Sequence, residues 1–179
     1  LIQYLGAVAV IKVLVHMHIA GGFVQKNSAQ IRKQLISPKH LENPVVIEAF
    51  DDSVKPMKAL AEKVEEIIGK IIDEYGEKSS ILLIGRYNYD MYKLYKAGAF
   101  TELPNNRVKS EKYPNADITF MTAHSSKGLG YDNVILINMF EGKFGFPCQI
   151  EDDPIMKLVM HEDRSMPFAE ERRLFYVAM

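Results

Sequence analysis

ITFMTAHSSKGLGYDNVILIN, residues 118–138, places two apolar runs on either side of a short polar loop. The runs at 118–122 and 133–138 show little polar alternation, which is typical of strands whose two faces are both covered by helices. The loop at 122–130 carries a histidine, two serines, a lysine and two glycines. Ordinary connections do not need these groups, so we expect the loop to contact a ligand.

The rest of the chain predicts alternating strands and helices. Strands are expected at 44–50 and 80–85. Between them we expect an amphipathic helix that Asp51, Asp52 or Ser53 could cap and that ends at Gly76. Its apolar residues recur at steps of three and four: Met57, Leu60, Val64, Ile67, Ile68, Ile71 and Ile72. Further helices are expected from Ser28, through Leu94 to Gly98, within 151–163, and from Ser165 with Pro167 in the first turn. A polar connector separates Gly98 from Asp117. This pattern predicts an α/β fold, with a mostly parallel sheet flanked by helices in a three-layer sandwich.

The first 23 residues are apolar, but Lys12, His16 and His18 interrupt them. No basic segment precedes the apolar run and no small-residue cleavage site follows it, so a buried helix is favoured over a signal peptide or a membrane span. We therefore treat 1–179 as a single domain that begins with a helical segment at 1–40.

The charge and cysteine content limit the function classes. Lys and Arg number 22 against 23 acidic residues, which gives a net charge of −1, so any nucleic-acid contact must come from a local patch. The single cysteine, Cys148, excludes an internal disulfide framework and fits a reducing cytoplasm. No Cys/His cluster has the spacing of a metal site.

Polar clusters follow two of the predicted strands. Arg86, Tyr87 and Asn88 come after the strand at 80–85, and Thr122 to Lys127 come after the strand at 118–122. Ligands of parallel α/β sheets bind beyond the carboxyl ends of the strands, so both clusters are expected at one edge and to form a site. The alternative is that they are helix caps and solvated turns.

Three stretches resemble motifs of the UvrD/Rep-like superfamily 1 DNA helicases. ITFMTAHSSKGLGYDNVILINMFEGKFGFP, residues 118–147, is similar to motif V, and AEERRLFYVAM, residues 169–179, is similar to motif VI cut before its end. ILLIGRYNYD, residues 81–90, resembles motif IVa. FGFP at 144–147 with the following IEDDP resembles the branch that contains DNA helicase IV.

The resemblance implies the second RecA-like (P-loop NTPase-like) lobe of an ATP-driven DNA translocase. Such a lobe supplies an arginine to the γ-phosphate of ATP, since the planar guanidinium holds phosphate oxygens as negative charge spreads in the transition state. The resemblance assigns this arginine finger to Arg173, with Arg172 as the alternative. A surface helix laced with salt bridges is the competing interpretation of the same motif.

The resemblance also assigns binding residues. It implies that Lys127, Gly128 and Glu171 contact ATP or couple to its hydrolysis. Contacts to single-stranded DNA fall to Arg86, Asn88, Thr122, His124 and Ser125. Lys127 could face DNA or the nucleotide, and Tyr87 or Tyr89 could stack on a base; both questions stay open at this point.

The chain departs from the family pattern in ways that bear on activity. Gly130 stands where the family commonly has a glutamate that approaches the ATP ribose. No G-x-x-x-x-G-K-[ST] sequence is present to hold the phosphates, so ATP and Mg²⁺ are expected to bind mainly to an N-terminal RecA-like lobe of the same protein. We therefore expect no ATP hydrolysis by this chain alone. The alternative function is a non-catalytic nucleic-acid-binding module that retains the fold.

Overall fold

The fold is built on a seven-stranded mixed sheet, seen in a computed structural model that describes residues 5–12, 45–137, 139–140, 142–150 and 168–178. The strand order across the sheet is β2-β1-β7-β3-β6-β5-β4. The strands are β1 (Leu5–Lys12), β2 (Val45–Asp51), β3 (Ile81–Gly85), β4 (Phe100–Glu102), β5 (Arg107–Ser110), β6 (Ile118–Thr122) and β7 (Asn133–Leu136).

Parallel pairing is confined to the centre of the sheet. β3 lies between β6 and β7 and runs parallel to both, whereas the other neighbouring strands pair antiparallel. The α/β prediction is confirmed, but among the described strands the sheet is mixed rather than mostly parallel. One reason is local: four residues, 103–106, join β4 to β5, and a parallel connection needs a dozen or more.

Two sequence-based predictions about strands are wrong. The helix expected at the start of the chain is replaced over Leu5–Lys12 by a strand that pairs with β2 on one side and β7 on the other. Val8, Val10 and Ile11 are β-branched, and partners on both sides override any helical preference of so short a run. The connector between Gly98 and Asp117 contains β4 and β5.

Helix α1 (Pro56–Tyr75) covers one face of the sheet together with α2 (Asn88–Lys96). The predicted end of α1 is confirmed, because Gly76 adopts φ 85° and its N–H donates to the carbonyl of Ile72. The predicted acidic caps are wrong: Asp51 accepts the N–H of Ser53 at 2.9 Å, and α1 begins later, at Pro56. Helix α3 (Ala169–Ala178) follows near the end of the chain. The helices predicted from Ser28 and within 151–163 lie outside the described residues, as does the predicted start of the last helix at 165–167; the described part of that last helix is α3.

Successive side chains of β3 enter two separate cores. Ile81 and Leu83 join the core beneath α1 and α2, whereas Leu82 and Ile84 join a smaller core on the opposite face. Leu174 and Phe175 of α3 pack against that second core. Helices therefore cover both faces of β3, which explains why its sequence is apolar throughout.

Truncation of a core isoleucine tests this packing. Ile68, which is 0% exposed, lies on the buried face of α1, and Ile68→Ala should lower the free energy of unfolding by about 2–5 kcal/mol in urea titrations. Ile47, on β2, is 67% exposed, and Ile47→Ala should cost less than about 1 kcal/mol. Equal losses for the two variants would contradict the assignment of the core.

A surface charge cluster ties β2 to α1. Lys63 and Lys70 both bind Glu48 of β2 and Glu66 of their own helix, with the four nitrogen–oxygen distances between 2.7 and 3.3 Å. Hydrogen bonds from Lys63 and then Lys70 lower the pKa of Glu66 to about 2. The Glu66 side chain is about half exposed, so solvent and salt screen the benefit.

This cluster predicts a pH dependence. Because the pKa of Glu66 is lower in the folded chain than its ordinary value of 4.5, its contribution is present above pH 4.5 and is lost as the pH falls toward 2. Glu66→Gln should therefore reduce the difference in unfolding free energy between pH 6 and pH 3, by less than about 1 kcal/mol at low salt. An unchanged difference would show that the cluster does not stabilise the fold.

Candidate functional site

The two polar clusters leave the sheet side by side. β3 and β6 are parallel and paired in register from Ile81–Ile118 to Gly85–Thr122, so their carboxyl ends reach the same edge. The N–H of Ala123 donates to the carbonyl of Gly85 at 2.9 Å, which continues the pairing one step beyond β6. Arg86 Nη1 lies 3.5 Å from His124 Nδ1. The prediction that both clusters share one edge is confirmed.

The turn after β3 depends on a glycine. A Cβ at Gly85 would lie 2.8 Å from the Cβ of Asp90 and 3.0 Å from the carbonyl oxygen of Tyr87, closer than side chains tolerate. The buried carboxylate of Asp90 accepts the N–H of Tyr87 at 3.0 Å and so fixes the start of α2. This turn places Arg86 directly after the end of β3, and Asn88 lies exposed at the start of α2.

Arg86 forms a two-point ion pair with Glu171 of α3. Arg86 Nη2 lies 2.7 Å from Glu171 Oε1, Arg86 Nε lies 3.2 Å from each carboxylate oxygen, and both side chains are only 14% exposed. Burial alone would lower the pKa of Arg86, but the hydrogen bond and the charge of Glu171 outweigh it and raise that pKa above its ordinary value. The Arg86 guanidinium therefore stays charged, and its two-point contact with the Glu171 carboxylate is a charge-assisted hydrogen bond.

The same carboxylate also holds the loop at 142–150. Glu171 Oε2 accepts the N–H of Cys148 at 3.0 Å, and the Tyr87 hydroxyl donates to Cys148 Sγ at 3.1 Å. The guanidinium of Arg86 lies 4.8 Å from the centre of the Tyr87 ring. Burial, followed by the bond to Cys148, raises the pKa of Tyr87 to about 12. Strand β3, this loop and α3 are therefore joined at one place.

The loop after β6 contains a buried polar residue that stabilises the turn and several polar residues that are exposed. Ser126 is buried and its hydroxyl donates to the carbonyl of Ala123 at 3.0 Å, as a turn residue would. Thr122 and Ser125 bond to each other through their hydroxyls at 3.0 Å. His124, Ser125, Lys127 and Gly128 are exposed, and Gly128 adopts φ 82°. The loop therefore presents its polar groups outward from a fixed base.

The two arginines of α3 have different surroundings. Arg173 is about half exposed and pairs with Glu170 one turn earlier on the same helix. Arg172 is partly buried. Arg173 thus makes the contact that the competing salt-bridge interpretation predicts, whereas Glu171, the residue before Arg172, pairs with Arg86.

Sequence reasoning missed the bond between Arg86 and Glu171. It placed Arg86 among the DNA contacts and Glu171 among the ATP contacts, but it did not join them. The two residues are separated by 85 positions, and no local spacing carries such a signal. The interaction of Tyr87 with Cys148 was missed for the same reason, since 61 positions separate them.

Within the residues that the structure describes, no three His, Cys, Asp or Glu side chains are grouped as a metal site would require. Over the same residues, none of the helices combines the length and apolarity needed to cross a membrane.

Comparison with known proteins gives a match to one family model. The family model described as the UvrD-like helicase C-terminal domain matches residues 92–179. That span contains β6, β7, the loop between them and α3. No solved structure matches the chain.

A particular relative is DNA helicase IV of Escherichia coli (strain K12), to which the chain is 28% identical over 162 residues. The similarity covers 90% of this chain, and the chain spans about a fifth of the length of that relative (20%). The resemblance predicted from the motifs is confirmed by these two matches.

Replacing Glu171 tests the bond at the edge of the sheet. Glu171→Gln leaves the partly buried guanidinium of Arg86 without its counter-charge and should lower the free energy of unfolding by about 1–3 kcal/mol. Glu170→Gln is the matched control, because Glu170 is exposed and pairs with exposed Arg173; it should cost less than about 1 kcal/mol. Denaturant unfolding of both variants measures the difference, and a neutral Glu171→Gln would show that the bond does not hold α3 in place.

Proposed function

We propose that the chain is the C-terminal, RecA-like motor lobe of a UvrD-like ATP-dependent DNA helicase or translocase. The observation that carries the proposal is the Arg86–Glu171 ion pair, which joins the motif IVa-like turn to the motif VI-like helix. The match to the helicase C-terminal domain and the similarity to DNA helicase IV support it. The helices on both faces of β3 support the RecA-like layer arrangement.

In this proposal α3 faces ATP held by a second, N-terminal RecA-like lobe. Arg173 supplies the arginine finger, and Arg172 is the alternative. An exposed guanidinium whose described partner is an exposed carboxylate can exchange that partner for a phosphate at low cost. Glu171 couples this helix to the DNA-contacting edge through Arg86. Lys127 and Gly128 lie exposed in the loop and contact the nucleotide from the same side.

Single-stranded DNA crosses the edge formed by the ends of β3 and β6. The exposed groups of Asn88, His124 and Ser125 contact its backbone, together with Thr122. Arg86 contributes through Nη1, the nitrogen that points toward His124 while Nε and Nη2 hold Glu171. These contacts are few, so the chain should bind single strands with a shallow salt dependence, equivalent to roughly two to four phosphates.

ATP and Mg²⁺ bind mainly to the other lobe, because this chain has no phosphate-binding loop sequence. The chain alone is therefore proposed to be inactive in hydrolysis, and the whole protein to act in the cytoplasm, where Cys148 would stay reduced.

The test is hydrolysis of ATP by the intact protein with and without single-stranded DNA. Arg173→Ala should reduce the DNA-stimulated turnover by about 10³-fold or more, because the transition-state charge loses its cation, with little change in DNA affinity. Arg107→Ala is the matched control: Arg107 is exposed and pairs with Asp117 at 2.9 Å, and its loss should leave turnover unchanged.

Two results would overturn parts of this proposal. Unaltered turnover in Arg173→Ala would remove Arg173 from the role and direct the same experiment to Arg172. No hydrolysis by the intact wild-type protein would favour the non-catalytic nucleic-acid-binding module, with the loop at 122–130 acting as a DNA contact only.

A further inference from the structure

Helix α2 and the segment after β7 carry a group of aromatic rings and lysines, of which the sequence singled out only Tyr89, as a residue that could stack on a base. Tyr89 and Tyr92 stack with ring centres 5.6 Å apart. Lys93 Nζ lies 5.6 Å from the Tyr89 ring and 5.8 Å from the ring of Phe140, and Lys96 Nζ lies 5.2 Å from the Tyr92 ring. We call these five residues, Tyr89, Tyr92, Lys93, Lys96 and Phe140, the aromatic–lysine surface.

The fold does not require these rings for its core. Met91 and Leu94 are buried in the core beneath α1 and α2, and partly buried Tyr95 packs against the same core. Tyr89 is 57% exposed and Tyr92 is 43% exposed. Because the two stacked tyrosines stay this exposed, they gain little from burial and their rings are accessible to a ligand.

The surface continues the edge where the candidate site lies. Tyr89 follows Arg86 by three residues, in the first turn of α2. Phe140 comes from the segment after β7, whose carboxyl end reaches the same edge as that of β3. Lys93 joins the two segments, because its ammonium lies over the rings of both Tyr89 and Phe140. A single strand of nucleic acid that crosses Arg86 and His124 can therefore continue onto α2.

We propose that the aromatic–lysine surface binds the bases and phosphates of single-stranded nucleic acid, which extends the strand path beyond the edge of the sheet. Every base has an apolar face that stacks on an aromatic ring, and the phosphate beside each base pairs with a nearby cation. The surface offers rings and ammonium groups close together, and Lys96 supplies its exposed positive charge, since the Lys93 side chain is 20% exposed and pairs with Asp90. Asp90, which binds Lys93 at 3.3 Å, is buried beneath it. A second protein docking through apolar contact would not need an ammonium beside each ring.

This inference rests on the proposed function and deepens it, so the experiment must separate the two. Binding of a fluorescein-labelled oligothymidylate to the intact protein is measured by anisotropy, beside ATP hydrolysis by the same preparation. The double variant Tyr89→Ala/Tyr92→Ala should bind about tenfold more weakly or worse, since stacking is lost at two positions. Lys96→Ala should reduce the salt slope by about one phosphate.

Two controls are built into the chain. Tyr75 is 43% exposed, as Tyr92 is, but it ends α1 at the opposite edge of the sheet, so Tyr75→Ala should bind as the wild type does. Tyr89→Phe keeps the ring and should also bind normally. Photocrosslinking of the wild type to an oligonucleotide that contains 5-iodouracil, followed by mass spectrometry, should label Tyr89 or Tyr92 and does not depend on how any variant folds.

The binding, crosslinking and hydrolysis results test the aromatic–lysine surface and the motor function separately. Normal binding by the double variant together with no crosslink at α2 overturns the inference, as does a loss of self-association without a loss of DNA affinity. Wild-type binding without ATP hydrolysis overturns the motor function, while the variants still decide the surface. A wild type that does not bind the oligonucleotide overturns both.

Discussion

The register of β3 against β6 is the constraint on which the rest of the structure depends. Since both strands are parallel and in step to their last residues, Gly85 and Thr122, the turns that follow them must emerge together. Parallel strands of this length need helical crossovers and cover on both faces, and α1, α2 and α3 provide that cover. The apolar sequence of β3 and the polar sequence immediately after it are two consequences of this arrangement.

The Arg86–Glu171 ion pair connects the end of β3 to helix α3. A two-point bond between partly buried charges fixes the angle of a guanidinium as well as its position. Because Glu171 also holds the N–H of Cys148, a displacement of α3 would disturb both the end of β3 and the loop at 142–150. In the proposed motor lobe, a contiguous set of bonds of this kind is a physical route by which changes at the nucleotide would reach the DNA.

Local sequence patterns predicted the elements whose information is local. The three-and-four spacing in 57–72 and the apolar run at 81–84 indicated α1 and β3, and Gly76 marked a helix end that needs positive φ. Leu5–Lys12 was predicted wrongly because its strand depends on partners far along the chain. At the site, sequence reasoning placed Arg86 and His124 at one edge but missed the pairing of Arg86 with Glu171, which only tertiary structure brings together. The roles of Arg173, Lys127 and the DNA contacts stay predictions.

Hydrogen exchange of the intact protein, measured by mass spectrometry with and without single-stranded DNA, tests the proposed DNA path most directly. We predict slower exchange in the turn at 85–90 and the loop at 122–130, with a change also in α3 because Glu171 joins it to Arg86. The turn at 76–80, at the opposite edge of the sheet, should exchange at the same rate in both states. Protection at 76–80 with none at 85–90 or 122–130 would contradict the proposal that single-stranded DNA crosses the carboxyl edge of β3 and β6.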